Sequence, residues 1–348
     1  MTRTQKNLLM MTFTLTILVL WCLGMTLSNN WSQFISFWPI TLTMGFGSFI
    51  AGATTEGGGA VAFPVLTLLF EIPPIMARDF AWMIQSIGMG TAAFSILIFK
   101  TPLYRRVILP ISIGGLIGLY PGIMFLAPYV PPNYCKIFFT SLWLSFGVWI
   151  LIIENIKKKN NLNSNNKDDK ITLNNKNIFI LFLVGLLGSQ ISSLTGTGLD
   201  LFSFSFLVLY FNLDPKKVTF TSIIIMAINS LFGFIMKVGL GDGPSPETWS
   251  MWWVSVPIVI FGAPLGAAFI KNKSKNFILT LLVTLIIIQF IMSYLIVNMN
   301  FKLYLFSFLV FLLGFSFFFF VYSKLKFQKV GFVYPSFEGI FSKLLVKK

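Results

Sequence analysis

The chain of 348 residues is 56% hydrophobic and 11% charged, and it contains 40 phenylalanines. No soluble domain buries so apolar a composition, which indicates an integral membrane protein. The absence of histidine and the presence of only two cysteines, Cys22 and Cys135, exclude histidine-based catalysis, a CxxC metal site and a disulfide framework. The formal charge of +15 comes from basic residues in the links between apolar runs, which is typical of a cytoplasmic membrane face and not of nucleic-acid binding. No cofactor is expected.

The clearest apolar runs are each long enough to cross a hydrocarbon layer of about 30 Å as a helix. The first run follows Arg3 and Lys6, and no small-residue cleavage site comes after it, so we expect an uncleaved helix and not a signal peptide. The runs are 8–27, 80–99, 178–194, 251–270, 277–297 and 303–322.

Five parts follow one another along the chain. Residues 1–40 hold an extra transmembrane helix, and residues 41–154 form a first transmembrane repeat. A lysine- and asparagine-rich linker at 155–177 is expected to be disordered and cytoplasmic. A second repeat at 178–297 precedes a last transmembrane helix and a basic tail at 298–348.

The distribution of Lys and Arg predicts the orientation in the membrane. If every apolar segment is a crossing, both termini lie on one side together with all but four of the 26 basic residues. The positive-inside rule makes that side the cytoplasm of a bacterial cell, so we expect a multi-pass protein of the inner membrane with both termini cytoplasmic. The four exceptions are Arg78, Lys136, Lys237 and Lys302.

The second half repeats the pattern of the first at an offset of 141 residues. Each half begins with a glycine-bearing helix and a short apolar segment, 60–70 or 201–211, which is expected to be a re-entrant hairpin or a broken helix. An odd number of crossings in each half would invert the second repeat, an arrangement typical of secondary transporters. The matched pairs are Gly47 and Gly188, Thr54 and Thr195, Gly57 and Gly198, Leu66 and Leu207, Phe70 and Phe211, and Pro74 and Pro215; after a further shift of three residues, Gly118 and Gly122 match Gly262 and Gly266.

The fold predicted from these patterns is an all-α polytopic membrane protein with two inverted repeats of transmembrane helices. Glycine-broken or re-entrant segments interrupt the repeats, and about 8–12 helical segments are expected in total.

The string TTEGGGAVAFP at 54–64 places Glu56 and three consecutive glycines in an apolar region, where a carboxylate costs roughly 2.5–3.5 kcal/mol. Glycines let a helix break, and the free N–H groups at the new helix start can hold an anion without a basic side chain. The substrate is therefore expected to contact both glycine strings and nearby polar side chains. The predicted substrate-binding residues are Thr54, Thr55, Gly57, Gly58, Gly59, Gln85, Ser86, Gln190, Thr195, Gly196, Thr197, Gly198 and Asn229.

Glu56 and Asp200 are the predicted proton-coupling groups, since a proton can neutralise a buried carboxylate as an anion binds or leaves. Other roles stay open. Glu56 also fits a surface carboxylate at a helix terminus, and Asp200 fits a capping box that begins at Thr197. The uncharged polar residues also fit hydrogen bonds between helices. Arg78 and Asp79 read as an interfacial pair in which the arginine is able to attract an anion.

In the strings GFGSFIAGATTEGGGAVAFPVL and GLLGSQISSLTGTGLDLFSFSFLVL the chain resembles the TauE/SafE family of membrane transporters, from about residue 41 to 297. The resemblance implies a carrier of a small sulfur-containing or other organic anion, such as sulfite, sulfoacetate or a taurine-type organosulfonate. The second string has TGTGLD in place of the glycine run and Ser205 at the proline position, so we expect an asymmetric site.

Alternative functions are an anion channel, a carrier of a non-sulfur organic anion and an embedded enzyme. The enzyme is disfavoured because the sequence lacks GxxxxGK, HExxH and GxSxG motifs. The expected partners are the small anion and the lipid bilayer, with no nucleic acid, and a homodimer stays open.

Overall fold

The computed structural model describes residues 2–55, 62–159, 174–239 and 243–329, and all regular secondary structure within these ranges is helical. Ten of the helices in this part of the chain are long and apolar enough to cross a membrane. The predicted all-α polytopic membrane fold is therefore confirmed. Most of the predicted linker and most of the basic tail lie outside the described residues.

In the described residues, the first half contains five helices and three irregular turns. The kink at Phe37 in α2 lies just before Pro39, whose ring removes a backbone donor and crowds the preceding turn. The predicted repeat boundary at residue 41 thus falls inside a helix. The elements are α1 (Arg3–Leu27), α2 (Gln33–Ala53), a π-helical turn (Val65–Leu69), α3 (Pro74–Ile98), α4 (Arg105–Pro121) with its continuing turns (Gly122–Leu126 and Ala127–Tyr129), and α5 (Pro132–Lys159).

The second half has the same order of a long helix, a short element and three long helices. Its short element is the helix α7, which begins two residues before the predicted segment. A further helix, α11, ends the described chain. The elements are α6 (Asn175–Thr195), α7 (Leu199–Leu209), α8 (Pro215–Gly239), α9 (Pro246–Lys271), α10 (Lys275–Ile296) and α11 (Phe301–Lys329).

The helix starts follow local sequence rules. Proline is the first residue of α3, α5, α8 and α9, where its fixed φ fits the helix and its missing N–H costs no hydrogen bond. Side chains of Asn174, Ser245 and Ser274 accept hydrogen bonds from the first turns of α6, α9 and α10. The boundaries of these helices are therefore written into short stretches of sequence.

Glycines bring two helix pairs into backbone contact. A β-carbon on Gly52 of α2 would overlap the carbonyl oxygen of Ala263 on α9, and one on Gly185 of α6 would overlap that of Ile111 on α4. Only glycine allows so close an approach between transmembrane helices. The close contacts fall at equivalent positions in the two halves. The contact of Ser48 with Gly262 corresponds to that of Ser189 with Gly118, the contact of Phe49 with Gly266 to that of Gln190 with Gly122, and the contact of Gly88 with Val259 to that of Asn229 with Gly115.

Charged residues divide between the two ends of the helix bundle. At one end, the Lys216 Nζ donates to the Lys273 carbonyl (3.0 Å), and the Lys275 Nζ lies 3.6 Å from Glu154. We call this the basic end, because it holds Lys100, Arg105, Arg106, Lys216, Lys217, Lys271, Lys273 and Lys275. The other end, which we call the opposite end, holds Arg78, Lys136, Lys237 and Lys302.

The segment α6–α7 is a re-entrant hairpin. Helix α6 runs parallel to α4, because Gly114 meets Phe182 and, farther along, Gly122 meets Ser193, so both helices begin at the basic end. The chain is back at that end by Asp214, whose N–H donates to the Tyr104 hydroxyl (3.1 Å). With 11 residues, α7 is about 16 Å long and too short to cross the bilayer.

The segment that begins with α2 enters from the opposite end. Helix α2 runs parallel to α9, since Gly45 meets Ile258 and Phe49 meets Gly266, and α9 ends at the basic end. Farther along the chain, Thr67 is again at the opposite end, where its carbonyl accepts from the Lys136 Nζ (2.8 Å). The two hairpins therefore enter the bundle from opposite ends.

Helices α1 and α11 pack outside the two repeats. The Trp21 indole N–H donates to the Trp253 carbonyl (2.8 Å), which attaches α1 to α9. The Trp149 indole N–H donates to the Phe315 carbonyl (2.7 Å), which attaches α11 to α5. Helix α11 also contacts the hairpin, because the Phe317 ring stacks on Phe202 of α7.

Labelling of single cysteines tests the predicted orientation. Lys176→Cys lies at the basic end and Lys302→Cys at the opposite end, and both side chains are exposed. In a variant without Cys22 and Cys135, an impermeant maleimide added to intact cells is expected to label position 302 only, because the basic end is predicted to be cytoplasmic. Permeabilised cells are the control, in which both positions react. Labelling of position 176 in intact cells would contradict the orientation.

Candidate functional site

The break between α6 and α7 is made by two glycines in the left-handed region, Gly196 (φ +75°) and Gly198 (φ +113°). Residues with a β-carbon adopt these angles only at a cost. A β-carbon on Gly196 would also lie 2.7 Å from the Ala81 Cβ and overlap the Arg78 carbonyl oxygen. The TGTG string thus breaks the helix, as predicted, and lets α3 approach the broken backbone.

Asp200 is fully buried at the start of α7. Its Oδ1 accepts hydrogen bonds from the N–H groups of Gly198 (3.1 Å) and Leu201 (2.9 Å). The helix begins one residue later than the predicted capping box, with Gly198 in place of Thr197 as the N-cap, and Asp200 supplies the carboxylate half of the cap. Its Oδ2 has no hydrogen-bond partner among the described residues.

Two buried amides reach the break from α3 and α8. The Gln85 Nε2 donates to the Gly196 carbonyl (2.9 Å), and the Asn229 Oδ1 accepts from the Ser192 hydroxyl (3.1 Å). The second polar atom of each amide, Gln85 Oε1 and Asn229 Nδ2, has no partner in the part of the chain that the structure describes. Each amide is therefore hydrogen-bonded at one of its two polar atoms and has no partner, within the described residues, at the other.

The threonines at the breaks are buried. The Thr195 hydroxyl is bonded to the carbonyls of Ile191 (3.1 Å) and Thr197 (2.9 Å). At the end of α2, the Thr54 hydroxyl donates to the Ile50 carbonyl (3.0 Å), whereas the Thr55 Oγ1 has no partner among the described residues. Glu56 and the predicted binding residues Gly57, Gly58 and Gly59 lie outside the described residues.

Two predicted binding residues make hydrogen bonds that lead away from the breaks. The Gln190 Nε2 donates to the Gly118 carbonyl (2.7 Å) in the contact between α6 and α4. The Ser86 hydroxyl donates to the Met83 carbonyl (2.7 Å) of its own helix. These bonds favour the structural alternative for both side chains.

A family model for the sulfite exporter TauE/SafE matches residues 40–293. The chain belongs to the TauE/SafE family. The match begins inside α2 and ends within the last turn of α10, and it leaves α1 and α11 outside. TauE/SafE proteins are transporters, so this chain is a multi-pass membrane transporter and not an enzyme. Comparisons with curated proteins and with solved structures found no match.

In this TauE/SafE chain, two tryptophans at the break were not predicted. The Trp82 indole N–H donates to the Ser192 hydroxyl (3.5 Å). The Trp143 ring lies 3.4 Å from where a β-carbon on Gly198 would be, and its buried Nε1 has no partner among the described residues. A tryptophan that faces lipid and one that faces the interior look the same in an apolar run, so no sequence signal distinguishes them.

Arg78 and Asp79, predicted to be an interfacial pair, are buried in the TauE/SafE fold with 5% and 4% of their surfaces exposed. The guanidinium lies against the last turn of α6, where its Nη1 donates to the Ser193 carbonyl (3.4 Å). A charged pair therefore adjoins the break on the side of the opposite end.

Proposed function

We propose that this protein is a secondary transporter that carries a small sulfur oxyanion or organosulfonate, of the sulfite, sulfoacetate or taurine type, through a site at its two helix breaks. One observation carries the proposal. Five of the six buried side-chain atoms that lack a hydrogen-bond partner in the described ranges belong to residues at or beside the breaks. The five atoms are Thr55 Oγ1, Gln85 Oε1, Trp143 Nε1, Asp200 Oδ2 and Asn229 Nδ2.

An unpaired buried polar group costs about 1–3 kcal/mol, and in this proposal a bound substrate supplies the missing partners of these five atoms. Thr55, Trp143 and Asn229 offer neutral O–H and N–H donors, which suit the acceptor oxygens of a sulfite or sulfonate group. The positive end of the α7 helix dipole adds attraction for an anion, although the Gly198 and Leu201 N–H groups already donate to the Asp200 Oδ1. In this proposal the neutral donors and the helix start hold the anion at the breaks.

Inverted repeats supply the means of alternating access in this proposal. The hairpins enter from opposite ends, and the contacts of Gly118 with Ser189 and of Gly262 with Ser48 recur in matching register. Both observations support two repeats of inverted orientation that rock around a central site.

Proton coupling is assigned to the carboxyl groups of Asp200 and Glu56. An ionised carboxylate beside an anion repels it, and the repulsion is strong where water is excluded. A proton on the carboxyl group removes this repulsion while the anion is bound. The unpartnered Asp200 Oδ2 provides an atom for that proton.

Asn229→Leu tests the proposed site. The substitution keeps a similar side-chain volume and removes the unpaired N–H donor together with the oxygen that accepts from Ser192. The lost hydrogen bond to substrate is expected to lower the affinity by about tenfold. The assay is counterflow of labelled sulfite, sulfoacetate, taurine and isethionate in proteoliposomes, because carriers show counterflow and channels do not.

Ser230→Ala is the matched control for Asn229→Leu. Ser230 is the next residue on α8, is equally buried, and bonds the Met226 carbonyl (2.6 Å) of its own helix, so near-normal transport is expected. Wild-type rates in Asn229→Leu would exclude this side chain from the site. Absence of counterflow with every sulfur anion in the wild-type protein would contradict the proposed function.

A further inference from the structure

Arg78 is a buried cation that the proposed site leaves without a role. It lies in the first turns of α3 at the opposite end. Its Nε and Nη2 both donate to the Asp79 Oδ1, at 2.9 and 2.7 Å. With the bond from Nη1 to Ser193, three of its N–H groups meet acceptors among the described residues, although a guanidinium carries five.

Together with the neighbouring Lys237, the pair of Arg78 and Asp79 has a net positive charge. The second oxygen of Asp79, Oδ2, lies 3.4 Å from the Lys237 Nζ at the end of α8. One carboxylate thus serves two cations, and the group of three has an excess of one positive charge. Breaking the bond between Arg78 and Asp79 would leave the carboxylate paired with Lys237.

Contacts connect Arg78 to the proposed site. Its guanidinium carbon lies 5.0 Å from the centre of the Trp82 ring. The Trp82 indole N–H donates to the Ser192 hydroxyl (3.5 Å), which in turn donates to Asn229 (3.1 Å). These contacts therefore link Arg78, at the opposite end, to the Asn229 amide, whose Nδ2 has no partner in the described chain.

Stability alone is a weak reason for this arrangement. Taking two charges out of water costs several kcal/mol per ion, and apolar residues of similar size often stabilise a protein as well as a buried ion pair does. Ionisable groups within membrane proteins mark substrate and ion paths. The guanidinium edge formed by Nε and Nη2 matches two oxygens of a planar or tetrahedral oxyanion as well as it matches a carboxylate.

We propose that Arg78 is a second anion-binding residue of the transport path, located toward the opposite end. The sulfite or sulfonate group takes the place of the Asp79 Oδ1 on the guanidinium, while Asp79 stays with Lys237. Without substrate, the Asp79 carboxylate is bonded to the Arg78 guanidinium, so it competes with the anion for this group. This inference rests on the proposed function, because it assigns a residue to the same substrate.

The proposal predicts effects of opposite sign for the two members of one ion pair. Arg78→Lys keeps the charge and loses the forked geometry, so it is expected to raise the KM for the organosulfonate about tenfold. Asp79→Asn removes the competing charge, so it is expected to lower the KM by about threefold. Right-side-out and inside-out membrane vesicles separate the two faces, and the changes are expected only where substrate is supplied from the opposite end.

Lys136→Gln is the control for loss of charge. Lys136 lies at the same end, but its Nζ bonds the Thr67 carbonyl, so its loss is expected to change the KM by less than about twofold. Thermal stability of each purified variant reports folding. If Arg78→Lys does not fold, the lowered KM of Asp79→Asn still tests the competition.

The outcomes separate the inference from the function on which it rests. If the pair only holds the fold, both variants lose stability and transport together, and the KM does not move in opposite directions. That result overturns the role of Arg78 and leaves the transporter intact. If wild-type vesicles carry none of the sulfur anions from either face, the proposed function fails, and the role of Arg78 fails with it.

Discussion

Replacing Gly196 with valine is expected to abolish transport and to destabilise the protein by more than roughly 3 kcal/mol. The residue has φ +75°, a conformation that is most costly for a β-branched side chain. Its β-carbon would also lie 2.7 Å from the Ala81 Cβ and overlap the Arg78 carbonyl oxygen. The break and its contact with α3 cannot both persist, so the Gln85 Nε2 also loses one of its two acceptors, the Gly196 carbonyl, and keeps the Ala81 carbonyl of its own helix.

Size-exclusion profiles, melting temperature and counterflow measure the effect of Gly196→Val. Gly90→Ala is the control, because Gly90 lies inside α3 and a β-carbon there would have no atom of another described part of the chain within 4 Å. Alanine is favoured over glycine in a helix interior by about 1 kcal/mol, so this variant is expected to be at least as stable as the wild type. Normal transport by Gly196→Val would mean that the left-handed break is not needed.

Replacing Asp200 with asparagine is expected to preserve substrate exchange and to reduce substrate accumulation driven by a pH gradient. The side-chain oxygen still accepts from the N–H groups of Gly198 and Leu201, so the start of α7 is kept. In the proposed mechanism the Asp200 carboxyl group carries the coupling proton, which the new amide cannot bind and release. Counterflow in proteoliposomes is expected to stay within a few-fold of wild type, whereas accumulation driven by an imposed pH gradient is expected to fall at least about tenfold.

Asp214→Asn is the matched control for Asp200→Asn. The Asp214 Oδ1 also accepts from the N–H of a helix start, at Lys217 (3.1 Å), but it lies at the basic end and away from the breaks. Gradient-driven accumulation is therefore expected to persist in this variant. Glu56→Gln in the same assay tests the second proposed carboxyl group. If accumulation survives in Asp200→Asn and is lost in Glu56→Gln, Asp200 is a helix cap and Glu56 alone couples the proton.

The protein class, the helix positions and the location of one helix break could be predicted from the sequence, because each depends on residues that are close together in the chain. Long apolar runs form helices in a bilayer, since backbone groups find no other partners there. Proline begins α3, α5, α8 and α9 at its natural position. Two glycines within TGTG break a helix whatever surrounds them, because left-handed angles suit glycine best.

The path of the short segments was decided by tertiary contacts. An apolar stretch of 11 residues fits either a partial crossing or a returning arm, and its own composition favours neither. The bond from the Asp214 N–H to the Tyr104 hydroxyl, across 110 residues, brings the end of α7 back to the basic end. Such a contact depends on how α4 packs against α8, where the Tyr104 N–H also donates to the Thr221 hydroxyl (3.0 Å), and no local pattern predicts it.

The roles of individual polar side chains were decided in the same way. Gln190 and Asn229 are both amides on apolar helices, and the sequence predicted both as binding residues. The packing of α6 on α4 gives the Gln190 amide a carbonyl 72 residues away, whereas the packing of α8 on α6 leaves the Asn229 Nδ2 without a partner in the described chain. The sequence shows that polar side chains lie within the transmembrane helices. Only the packing of the helices against one another determines which of these side chains lack a partner and are available to a substrate.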